Sequence, residues 1–445
     1  MTAVTTYKTG IGTSNSSRVS GYSSILSVIA FLIAMIVALA FVLPAFSMSD
    51  VFLPALVASA FFLYSFFYCG RSTVNASSVA SYGSLMFIGF PAMFGALGLY
   101  QSNKPYTPHS LIIVLLLAFV FQSILILCSD STRGSSQTKK LNHNVEVGPE
   151  NSSRVLKLSV AMMLLFVFSS FLGAGIAAAG FAWVAMLAGA AVVFWANRKR
   201  ARVYGAILVT VTFILETGLV LGSFGRLNLA VLALSILVIA SLRLRSWFLK
   251  IAAVVFTGPI LVYLVKQRIA YLSIERGTSQ VSETEGLGSV VGPFHSAGAI
   301  VDSIIQGRIS LAWGETLFNA AVTGVPRAIW PEKPVGFGRE IVEVTQPWLA
   351  SNSVFSDAGT FVGEAVWNFG IWLSPLYLVS FALFIRYLDN KLASFPERTP
   401  NFASFLVLML ISLLSGTLLN VIWGSASPAA ARTLFPLAIL FFLWF

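Results

Sequence analysis

Leu111-Ile-Ile-Val-Leu-Leu-Leu-Ala-Phe-Val-Phe-Gln-Ser-Ile-Leu-Ile-Leu-Cys128 contains no charged side chain. An uncharged apolar run of about 18 residues or more is long enough to cross the hydrocarbon core of a bilayer. Inside hydrocarbon its backbone N–H and C=O groups find no water, so the segment satisfies them within itself, as a helix.

Similar runs recur on both sides of it. The sequence predicts twelve spans, at residues 24–46, 51–69, 79–100, 109–128, 157–175, 177–196, 203–223, 227–242, 248–265, 366–388, 402–420 and 433–445. The composition agrees. Of 445 residues, 57% are hydrophobic and only 10% charged, against about 25% charged in soluble domains. A soluble multidomain enzyme and a disordered chain are both excluded. The net charge of +11 fits cytoplasmic loops and anionic headgroups, and no nucleic-acid-binding module accompanies it. Cys69 and Cys128 each end an apolar run. They have no metal-ligand spacing and read as inert membrane thiols.

Lys and Arg concentrate in alternate short loops: Arg71; Arg133, Lys139 and Lys140; Arg198 to Arg202; Arg243 and Arg245; Arg386 and Lys391. The positive-inside rule then puts both termini in the cytoplasm. The chain divides into a flexible cytoplasmic tail (1–22), nine spans (23–265), a large extracytoplasmic segment (266–365) and three more spans (366–445). The large segment holds ten of the 17 acids. Loops of this length are uncommon unless they do something. Short helices are expected at 296–306 and 311–322, with a mobile Gly/Ser/Thr-rich stretch over 277–293.

The densest chemistry lies in Gly324-Val-Pro-Arg327-Ala-Ile-Trp330-Pro-Glu332-Lys333-Pro334. Three prolines stiffen this loop. Arg327 and Lys333 suit phosphate, and Trp330 offers a face for a sugar. A proline-rich turn anchored at the interface by Trp330 is the plainer alternative. Asp357 and Glu364 flank the next span as candidate general bases, or as acids stabilised by a helix start. Arg226 stands at an outer span boundary, either as a ligand contact or as a snorkelling anchor. Glu216 lies inside an apolar span, where an ionisable group is a functional candidate by default. His295 is the one histidine of the large segment. Arg432 stands isolated in the last apolar hairpin. No histidine and acid grouping has metal spacing, and no phosphate-binding glycine loop is present.

The Pro-Arg-x-x-Trp-Pro-x-Lys-Pro stretch at 326–334 resembles the hallmark of the Wzy-type O-antigen polymerases, the bacterial oligosaccharide repeat-unit polymerases. Gly314-Glu315-Thr316, Gly363-Glu364, Trp367-Asn368-Phe369-Gly370 and Gly225-Arg226 are similar in order, and the hydropathy layout is similar throughout. The O-antigen ligases are a related group, and His295 is a loose match to them.

The resemblance implies an all-helical membrane glycosyltransferase of the C type in the bacterial cytoplasmic membrane, with its active site extracytoplasmic. It would move a growing glycan from undecaprenyl diphosphate onto a fresh lipid-linked repeat, without metal or cofactor. A chain-length regulator and a flippase are the implied partners. Glu315, Glu364, Asp357 and His295 are the implied candidates for the base. Arg226, Arg308, Arg327, Lys333 and Arg339 are those for diphosphate, with Glu216, Trp313 and Trp330 in the substrate path. A ligase, or a transporter or lipid flippase, are the competing readings.

Overall fold

The computed structural model describes residues 47–100, 102, 104–131, 149–219, 226–256, 283–325, 328–334, 336–347, 356–395 and 401–444. Everything described is helix, turn or loop, with no strand. The helices in chain order are α1 (Phe52–Tyr68), α2 (Ala76–Ser84), α3 (Phe90–Ala96), α4 (Pro108–Ser131), α5 (Pro149–Phe171), α6 (Gly175–Trp195), α7 (Lys199–Leu219) and α8 (Arg226–Leu244). They continue with α9 (Trp247–Phe256), α10 (Glu283–Ile305), α11 (Glu315–Ala321), α12 (Phe337–Thr345), α13 (Thr360–Ser394), α14 (Phe402–Gly424) and α15 (Ala426–Trp444).

Nine helices among the described residues are long and apolar enough to cross a membrane. They account for nine of the twelve expected spans, and the chain is an all-helical polytopic membrane protein. The expected span at 24–46 lies outside the described residues, as does 257–265 of the span at 248–265. Of the expected 203–223 span, 203–219 belong to the helix α7 and 220–223 lie outside the described residues. As described, α7 opens on Lys199, Arg200 and Arg202 and carries Glu216, and it is not among the nine.

The large segment differs from expectation in one respect. Residues 277–282 of the expected mobile stretch lie outside the described residues; its remainder, 283–293, is helical and runs through Pro293 into the expected short helix as one helix, Glu283–Ile305. Its Ala297, Ile300 and Val301 are fully buried, and α10 packs against α4 and α13. Burial of this apolar face outweighs the low helix propensity of its glycines and proline. The expected short helix within 311–322 is present as α11.

Helices α2, α4, α6 and α14 form the interior. Lipid and side chains are equally apolar, so small residues and polar contacts decide how such helices meet. The α2 serines show this. Gln122 of α4 donates to Ser65 of α1 at 2.6 Å and also to Ser81 of α2. At the π-helical turn Leu85–Gly89, a Cβ on Gly89 would stand 2.7 Å from the Ser59 hydroxyl. Helices α8 and α14 approach so closely that a Cβ on Gly416 would lie 2.5 Å from the Val231 carbonyl.

The bundle has two polar ends. At one, Asp389 near the end of α13 accepts from Ser77 at the start of α2. There Lys250 of α9 donates to the carbonyls of Phe66, at 2.6 Å, and Cys69, closing the end of α1. The other end gathers α10, α11, α12, the start of α13 and the loop residues 97–100 and 104–107.

Candidate functional site

A break in α13 organises this second end. Gly370 adopts φ 69°, ψ 176° inside the helix, a conformation open to glycine and little else. The break releases the carbonyls of Trp367 and Asn368, which a continuous helix would pair with residues 371 and 372. They accept instead from the N–H groups of Ala312 and Trp313, both at 3.0 Å. The Asn368 side chain completes the junction. Its oxygen accepts from Gly314 N–H at 2.9 Å, and its amide donates to Thr316 Oγ1 at 2.6 Å and to the Glu364 carbonyl at 2.8 Å. Gly314, at φ 94°, turns the chain into α11.

Glu364 lies one helical turn before Asn368 and is fully buried. Thr316 donates to its Oε1 at 3.0 Å, and the Ala426 N–H donates to its Oε2 at 2.9 Å. Ala426 opens α15, so the carboxyl satisfies one of the N–H groups a helix start leaves without an intrahelical partner. The helix-start alternative holds here in altered form: Glu364 serves the start of another helix, and joins α11, α13 and α15 at one point.

Beside this brace lies an acidic patch. Glu315, exposed on α11, faces half-buried Glu340 and exposed Glu343 of α12. Burial, then Glu315 and Glu343, push the Glu340 carboxyl up to about 7; Asn319, donating to it at 3.5 Å, opposes this. Arg339 pairs with Glu343 at 3.3 Å. Trp313 is largely exposed.

One turn further along α12, Val344 and Thr345 line an open groove of about 460 Å³ with Ser102, Lys104, Pro105 and Arg308. Arg308 pairs with Asp302 at 2.9 Å, and Asp302 also accepts from Thr107 and Gln306. Lys104 pairs with Asp357, which also accepts from Ser296 at 3.0 Å and from the Ala358 N–H at 2.8 Å. Asp357 is thus already engaged by a cation and a hydroxyl. Helix α12 itself is held by Phe337 and Ile341, packed with Ile300 and Trp367.

The remaining candidates lie behind these two features, elsewhere in the bundle, or outside the described residues. His295 is fully buried, packed 5.2 Å from Tyr100 and 5.0 Å from Tyr106. Burial pushes it down to about 4, so the ring is neutral at pH 7. Lys333 turns its ammonium onto the carbonyls of Thr323 and Val325, both at 2.9 Å, closing the proline-rich loop on itself. Trp330 is half-buried there. The loop rests on α15, where Leu434 fills the space beside Gly324. Arg327 and the side chain of Arg226 lie outside the described residues. Glu216 is buried in the bundle and accepts from the Trp183 indole N–H at 2.9 Å. Among the described residues no three His, Cys, Asp or Glu side chains are grouped to hold a metal ion.

Sequence reasoning missed Glu340 and Lys104. Glu340 had a signal: Phe337, Ile341 and Val344 have helical spacing, which makes an acid between them a half-buried one. Lys104 had none, since its partner Asp357 is far away in sequence. No protein-family model, no curated protein and no solved structure matches the chain.

Proposed function

We propose that this protein is a membrane glycosyltransferase of the C type that polymerises lipid-linked oligosaccharides, as the Wzy-type resemblance of residues 326–334 implies. The single observation that carries the reading is what α12 holds together. It carries a half-buried acid, Glu340, held near neutrality beside Glu315, and one turn further on it lines a groove containing Lys104 and Arg308.

The reaction needs both. The acceptor hydroxyl of a new lipid-linked repeat attacks the anomeric carbon of the growing glycan. The bond from that carbon to the lipid diphosphate breaks, and the diphosphate leaves with the electron pair. The hydroxyl proton goes to a carboxylate. A base works best with its pKa near the operating pH, and Glu340 meets that condition. The leaving diphosphate is stabilised by preplaced cations; Arg308, and Arg327 of the proline-rich loop, are the groups for it. Exposed Trp313 and half-buried Trp330 offer faces for the glycan. Glu364 then acts as a brace and takes no proton from substrate.

The test is incubation of the purified protein with defined prenyl-diphosphate-linked repeats, with products read by mass. A product one repeat longer, released prenyl diphosphate and no requirement for nucleotide sugar are expected. Lipid movement across proteoliposomes without any new glycosidic bond would replace this reading with a flippase. Transfer only to a different acceptor would replace it with a ligase.

A further inference from the structure

Arg432 belongs to neither feature described above. It lies in α15, six residues after the helix begins at Ala426, so about 9 Å along the axis from that end. The same helix exposes Leu434, Phe441 and Phe442, an apolar surface suited to lipid. Arg432 is half-buried against α14. It stacks 4.9 Å over the Trp423 ring and donates through Nη1 to Asn420 Oδ1 at 3.3 Å. Arg432 takes part in none of the ion pairs among the described residues.

A cation in this position is costly unless a counter-charge meets it. Neither Trp423 nor the neutral amide of Asn420 supplies one. A second observation points the same way. Asn420 is fully buried, and its amide nitrogen has no hydrogen-bond partner. Its oxygen is already used by Arg432, so what remains is donor only. The rest of the guanidinium is also donor only. A cluster of unused N–H groups with net positive charge, beside a lipid-facing helix and near one end of the bundle, matches an oxyanion at headgroup depth. Arg binds phosphate through two parallel hydrogen bonds, which suits this ligand over a halide or a single carbonyl.

We propose that Arg432 and Asn420 form a seat for the phosphate group of an anionic lipid. The guanidinium supplies the charge and two donors, while Asn420, through its Oδ1, and the Trp423 ring hold it in place. The seat stands independently of the glycosyltransferase reading, because it uses no residue assigned to that chemistry.

The test is native mass spectrometry of the purified full chain in detergent, titrated with phosphatidylglycerol. Arg432→Gln removes the charge. Asn420→Asp supplies the missing counter-charge from within, so it should evict the lipid while leaving the fold at least as heat-resistant as the parent. Both variants should retain about tenfold less phosphatidylglycerol, as expected when a charge-assisted contact is lost. Lys157→Gln, an exposed change on α5, should retain the parent level. Millimolar inorganic phosphate distinguishes the sources: displacement of the lipid means that soluble phosphate also fills the seat, and no displacement means that the lipid alone does. If Arg432→Gln fails to fold, Asn420→Asp still decides the matter. Parent-level retention in Asn420→Asp, or in both variants, overturns the proposal.

Discussion

Replacing Glu364 by alanine separates a structural acid from a catalytic one. The carboxyl is fully buried, and both its oxygens are used, by the Thr316 hydroxyl at 3.0 Å and the Ala426 N–H at 2.9 Å. Alanine leaves both donors in place with no acceptor. A buried polar group stripped of its partner costs roughly 1–3 kcal/mol, so two cost roughly 2–6 kcal/mol. That is a large share of the about 5–15 kcal/mol that holds a typical domain folded. Glutamine should cost about half as much, because its oxygen serves one donor while its NH2 faces the other. The assay is thermal unfolding of the purified protein in detergent, followed by size-exclusion fluorescence. The expected order of melting temperatures is parent, then Glu364→Gln, then Glu364→Ala. Thr316→Val should fall near the glutamine variant, since it removes the donor to Glu364 and an acceptor of Asn368. If Glu364→Gln and Glu364→Ala both melt with the parent while losing all transferase activity, the brace is refuted and Glu364 acts on substrate.

Three further outcomes follow from the same geometry. Glu340 should make stability depend on pH: its carboxyl sits at about 7 in the folded protein against 4.5 for an ordinary glutamate, so between those values the folded state binds more protons than the unfolded one. Stability therefore falls as pH rises from about 4.5 to about 7 and then levels off, and Glu340→Gln should flatten that slope in pH-dependent melting while abolishing the rise of transferase rate through about pH 7. Gly416→Val should lower the melting temperature through roughly 1–3 kcal/mol of overpacking, because even a Cβ there meets Val231 O and Ser235 Oγ; Gly173→Ala, where nothing lies within 4 Å, should cause no such clash, although its positive φ carries a backbone cost. Lys104→Met should cost roughly 1–3 kcal/mol, because Asp357 loses its cation but keeps the Ser296 and Ala358 donors, and adding Asp357→Asn should recover part of it, with additive costs in a double-mutant cycle arguing against the pair.

The spans were legible because hydrophobic length is a one-dimensional property. Leu111 to Cys128 announces a membrane helix before any contact is known. The same kind of reading failed at 283–293, where a Gly/Ser/Thr-rich run ending in Pro293 reads locally as a mobile loop, although it found the helix that follows. What makes that segment helical is a buried face against α4 and α13, and a neighbour's surface is not written in the segment itself. The polar end divides along the same line. Glu315 and Trp313 could be picked out from composition and resemblance. Lys104, the partner of Asp357, could not, since nothing in either local sequence names the other. Glu364 was singled out as notable, but its two donors come from α11 and α15, so its task became visible only when three distant helix ends met.

That meeting point also explains why the acids divide their roles. Ionised or not, a carboxyl needs donors around it or water beside it. Glu364 has two protein donors and no exposure, which ties it to the fold. Asp357 and Asp302 have a cation each, which ties them to the groove wall. Glu315 is open to water. Glu340 alone of the acids on α11 and α12 lies between these limits, sheltered enough and close enough to like charges to hold a proton near neutrality, yet not enclosed by donors that would fix its charge. A group in that position can change protonation without unfolding its surroundings, and that is the physical requirement a base must meet before any question of substrate arises.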